Sequence, residues 1–131
     1  MATVEVRRIP RWAAALADLG VIVVFVAIGR RSHDEGGDVA GMLRVAWPFV
    51  GGLAVAWLAT GLWRAPLEWG RAASAWLLTV AVGMTLRIVV QGHELAPTFV
   101  LVALVFLGAC MLGWRGLVGR WVRRPARRPL D

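Results

Sequence analysis

Residues 12–29, 39–63, 72–90 and 95–114 are four long apolar stretches separated by short polar turns, and no feature of the sequence limits its fold more. A helix rises 1.5 Å per residue, so about 20 residues cross a ~30 Å hydrocarbon core. Lipid supplies no partners for backbone N–H and C=O groups, so such segments must be helices unless they close into a barrel. The strict alternation a membrane barrel needs is missing. Hydrophobic residues make up 59% of the 131, against about 45–50% for an average soluble domain. The expected fold is therefore all-α: one polytopic membrane domain of four antiparallel transmembrane helices, followed by a basic tail over 115–131. The connections are too short for anything but an up-down-up-down order.

The charged residues suggest an orientation. All 15 basic residues are arginine. Arg7, Arg8 and Arg11 precede the first stretch, Arg64 and Arg71 sit in the middle turn, and Arg115, Arg120, Arg123, Arg124, Arg127 and Arg128 follow the last. With four spans these regions share one side. The opposite side has Arg30 and Arg31, offset by Asp34, Glu35 and Asp38. The positive-inside rule then places both termini in the cytoplasm. The first stretch contains Asp18 and is followed by three more spans, so it reads as a retained helix rather than a signal peptide.

Asp18 is the leading candidate for function. It lies about six residues inside the first stretch, roughly 9 Å deep. A carboxylate there needs a partner, water or a proton. It either serves a proton-coupled step or makes a helix–helix hydrogen bond. Arg44 opens the second span and Arg87 closes the third, both toward the outer face, where long stems can snorkel. Thr79, Gly83 and Arg87 recur at i, i+4, i+8, as do Arg44, Pro48 and Gly52. If both arginines face the bundle they form an anion site or bind the outer acids; otherwise they are interface anchors on packing stripes.

The outer turns gather His33, Asp34, Glu35, His93 and Glu94. Their spacing matches no metal motif, so no metal or cofactor is expected, and a solvated charged loop is the simpler reading. Cys110 lies in apolar company as a small hydrophobe. Trp12, Trp63, Trp69, Trp76, Trp114 and Trp121 read as a belt at the inner boundary, and Trp57 as a deeper packing residue. The basic tail fits contact with anionic lipid better than nucleic acid. No P-loop, dinucleotide fingerprint or triad is present, so the chain is not expected to be an enzyme.

Several of these features occur together in a known family. Asp18 in the first span, the Phe25…Gly29-Arg30-Arg31-Ser32-His33 exit, Trp47-Pro48-Phe49 in the second span and Gly83…Arg87 in the third resemble the domain of unknown function 3054 family of short prokaryotic membrane proteins. The resemblance covers roughly residues 12–118. It implies a four-span protein of the prokaryotic cytoplasmic membrane and carries over no catalytic role.

Two functional classes follow from the residues. One is a small transporter or channel that works as an oligomer through Asp18. In layout it is similar to the small multidrug exporters, although Asp stands where they have Glu and their surrounding aromatic pattern is missing. The other is an accessory or scaffold subunit with a structural Asp18, docking on a membrane-protein partner through the small face Gly52, Ala56 and Ala59.

Overall fold

The computed structural model describes residues 9–32 and 38–123. They form four helices: α1 (Arg11–Ser32), α2 (Val39–Thr60), α3 (Trp69–Val89) and α4 (Pro97–Val122), with a 3-10 turn at Leu62–Arg64. Among the described residues there is no strand. All four helices are long and apolar enough to cross a membrane.

Local chemistry sets the boundaries. Asp38 caps α2 by accepting the Gly41 N–H at 3.0 Å, which satisfies one of the donors a helix start leaves open. Gly61 ends α2 with φ of 65°, a left-handed conformation that glycine adopts without steric cost. The second span therefore stops at Thr60 rather than Trp63. Pro97 opens α4 at a position where its missing N–H costs nothing. The third helix begins at Trp69, not at residue 72, and the fourth runs unbroken to Val122, well past residue 114.

Contacts confirm the antiparallel order. From Asp18 to Phe25, α1 meets α2 first at Trp57 and then at Phe49, and α4 first at Arg115 and then at Phe106. On α2, Gly52 packs directly against the backbone of Thr79 and Gly83 on α3. On α3, the Trp76 Nε1–H donates to the Leu104 carbonyl of α4 at 2.9 Å, and its ring fills the space left by Gly108.

The centre is filled by aromatic rings. Phe25 lies 5.7 Å from Phe49, edge to face, and 5.6 and 5.9 Å from Phe106 and Phe99. These are favourable centroid separations for aromatic pairs. Gly83 makes room for this cluster, since a Cβ there would stand 2.6 Å from the Phe49 ring. Around it the outward faces stay apolar, with Leu58, Leu101, Val105 and Leu117 all exposed. Apolar surface of this extent needs lipid or protein to cover it.

The structure revises the small face of α2. Gly52 and Ala56 are buried within the bundle, and only Ala59 is exposed. Small residues there let α2 and α3 approach closely, so this face is spent internally and does not form a docking surface.

Candidate functional site

Asp18 is fully buried. It lies seven residues in from the start of α1, and Arg115 lies seven residues before the end of α4, at the same end of the antiparallel pair. The guanidinium meets the carboxylate as a two-pronged fork: Nη1 donates to Oδ1 at 2.7 Å and Nη2 to Oδ2 at 2.6 Å. Trp57 Nε1 also donates to Oδ2 at 3.0 Å and Trp114 Nε1 to Oδ1 at 2.9 Å. Each carboxylate oxygen thus accepts two N–H groups, which fills its acceptor capacity.

Arg115 is as fully engaged. Its Nε donates to the Pro66 carbonyl at 2.7 Å and its Nη1 also to the Met111 carbonyl at 3.0 Å. The guanidinium carbon lies 4.5 Å from the centre of the Trp114 ring, within cation–π range. Arginine suits this role because its planar donors match a carboxylate pairwise while a further edge reaches elsewhere. The clasp joins α1, α2, α4 and the α2–α3 turn.

This arrangement corrects two readings from the sequence. Arg115 was assigned to the basic cytoplasmic tail; it is a buried helix residue, 2% exposed, neutralised by Asp18. Trp76 and Trp114 were assigned to the interfacial belt; both donate hydrogen bonds inside the bundle. Arg115 was missed because the last apolar stretch was ended at its first charge, and the continuation through Trp114, Leu117, Val118 and Trp121 reads from sequence as an amphipathic extension along the interface rather than as part of the span. The signal was available in the helical spacing of Trp114, Leu117, Val118 and Trp121, which carries α4 past Arg115, and in the single acid at matching depth in the first stretch.

The other candidates lie at the opposite end. Arg44 is exposed, and its side chain does not face the bundle. Arg87 is half-buried, with its guanidinium carbon 4.5 Å from the centre of the Phe99 ring. The two therefore do not converge on one anion site. Arg87 instead lines a cleft of about 500 Å³ together with Arg30, His93 and Glu94, floored by Phe25 and Met84. Arg30 pairs with Asp38 at 3.0 Å. His33, Asp34 and Glu35, and the tail from Arg124 onward, lie outside the described residues. Among the described residues no cluster of three His, Cys, Asp or Glu side chains forms a metal-binding group.

A family model described as a protein of unknown function (DUF3054) matches residues 15–118, a range that contains both Asp18 and Arg115. No curated protein and no solved structure matches the chain.

Proposed function

The chain belongs to the DUF3054 family, and on that premise we propose that it is an accessory or scaffold subunit of a larger membrane complex, with Asp18 as a structural residue. One observation carries this reading: Asp18 gives all its acceptor capacity to Trp57, Trp114 and Arg115. A carboxylate that relays protons must exchange partners during its cycle. This one would have to give up a two-pronged arginine and two indoles in a buried site, where leaving the arginine unpaired costs about 3–5 kcal/mol. The packed phenylalanines beyond it also favour a rigid element over a pathway.

The proposed location is the prokaryotic cytoplasmic membrane with both chain ends on the inner side. The arginines at positions 7, 8, 11, 64, 71, 120 and 123 still support this topology after Arg115 is removed from the set. The proposed partner is another membrane protein, which would cover part of the exposed apolar surface. The role needs no catalytic step and no cofactor.

Native mass spectrometry of the full chain, extracted from its own host in mild detergent, tests the reading. A stable complex with a different membrane protein is expected. A homo-oligomer that moves protons or solute in proteoliposomes, and loses that flux in a folded Asp18→Asn variant, would overturn it in favour of an oligomeric transporter or channel using Asp18.

A further inference from the structure

A recess of about 510 Å³ lies beside the clasp, between the start of α3 and the last turns of α4. Its inner end is Arg115, and its outer rim carries Arg120 and Arg123. From Arg115 to Arg123 is eight residues, or about 12 Å along the helix axis, so the recess runs from the buried interior toward the boundary.

The charges in it are unequal. Arg115 is neutralised by Asp18. Arg120 and Arg123 are exposed and have no ion-pair partner among the described residues. The nearby acid on the α3 side, Glu68, is held by Arg71 at 3.0 Å. Among the described residues the rim's two positive charges are therefore uncompensated. Below it the walls are apolar, from Leu67, Leu112 and Leu117. Trp69 lines one side and is half exposed, and tryptophan favours the headgroup level. Gly116 and Gly119 keep the floor low: a Cβ at Gly119 would meet nothing within 4 Å, and one at Gly116 would meet only the Trp69 ring at 3.5 Å.

We propose that this recess is a binding site for one anionic phospholipid, with its phosphodiester between Arg120 and Arg123 and the start of its acyl chain along the glycine floor. The combination selects that occupant: two cations at the rim fit a phosphate, and an apolar trough directly beneath fits the hydrocarbon attached to it. A basic pocket between spans near the membrane boundary is a setting in which anionic headgroups bind. The site is independent of whether the chain is an accessory subunit.

The test is lipid retention in native mass spectrometry of the full chain in mild detergent, titrated with phosphatidylglycerol or phosphatidylcholine of the same acyl composition. Preferential retention of a single phosphatidylglycerol is expected. Arg120→Gln and Arg123→Gln should each weaken it roughly fivefold, while Arg44→Gln at the far end leaves it unchanged. Gly119→Leu, which adds bulk to the floor at a position where a Cβ meets nothing within 4 Å, should abolish the preference while the melting temperature holds. Equal retention of the two lipids overturns the proposal. So does full retention in Gly119→Leu, which would place the lipid on the open surface. Inorganic phosphate displacing phosphatidylglycerol at equal concentration would identify a free-anion site and overturn the lipid assignment.

Discussion

Asp18 and Arg115 are 97 positions apart in sequence and equally deep from the same end of the bundle, joined by hydrogen bonds of 2.7 and 2.6 Å. Depth and sign are matched, so the pair is neutral where either charge alone would be costly. Removing one partner strands the other. Asp18→Asn and Arg115→Gln should each destabilise the protein by about 3–5 kcal/mol, seen as a large fall in melting temperature in detergent. Replacing both with apolar residues, Asp18→Leu with Arg115→Met, should recover much of that loss, because no buried charge remains. A double variant as unstable as the sum of the singles would argue against the pair as the source of the effect.

The two indoles offer a finer probe of the same clasp. Trp57→Phe and Trp114→Phe keep most of the ring packing and remove one N–H donor each from the carboxylate. A hydrogen bond to a charged group is worth about 1.5–3 kcal/mol, so each variant should lower stability by about that amount. The effects should not add, since both donors serve one network. Thermal unfolding of the two singles and the double measures the coupling, and strict additivity would mean that the indoles act independently.

The span count, the antiparallel order and the special status of Asp18 were legible in the sequence, because apolar runs and an isolated acid are one-dimensional signals. Its partner was not. Arg115 directly follows an apolar run, and a charge at that place reads as the end of a span; only a fold that brings α4 back alongside α1 distinguishes a buried partner from a tail residue. The tryptophans misled for a related reason: indoles near a span end serve a belt or the interior equally well, and Trp114 turns inward because it has Asp18 to bond. The small face of Gly52, Ala56 and Ala59 reads from sequence as a docking surface for a partner, and the bundle uses its first two residues internally against α3; small residues signal a close approach, but a sequence does not say which helix approaches.

Three glycines separate close packing from mere presence. A Cβ at Gly52 would fall 2.6 Å from the Thr79 carbonyl oxygen and 2.9 Å from the Gly83 nitrogen, both backbone atoms. A Cβ at Gly83 would meet the Phe49 ring at 2.6 Å. Gly20→Ala meets nothing within 4 Å. We expect Gly52→Ala to be the most damaging, because backbone cannot swing aside, and to cost about 1–3 kcal/mol as an overpacked core does. Gly83→Ala should cost less, to the extent that the ring can shift. Gly20→Ala should be neutral or slightly stabilising, since alanine is the better helix former. Folded yield and melting temperature give the order, and a Gly20→Ala loss equal to that of Gly52→Ala would show that glycine matters here for reasons other than space.

Pro48 and Gln91 form a compensating pair. Proline has no N–H, so inside α2 it leaves the Arg44 carbonyl without its usual intrahelical donor. Gln91, from the turn after α3, supplies one: its Nε2 donates to that carbonyl at 2.6 Å. Gln91→Ala should therefore cost about 0.5–1.5 kcal/mol, the net worth of an ordinary hydrogen bond. Pro48→Ala restores a backbone N–H four residues after Arg44, where the helix itself can use the carbonyl. In that background Gln91→Ala should cost clearly less. A double-mutant cycle followed by thermal unfolding in detergent isolates the coupling. A cost for Gln91→Ala that is the same with proline or alanine at position 48 would mean that Gln91 stabilises the turn by some other contact and not by closing the gap Pro48 opens.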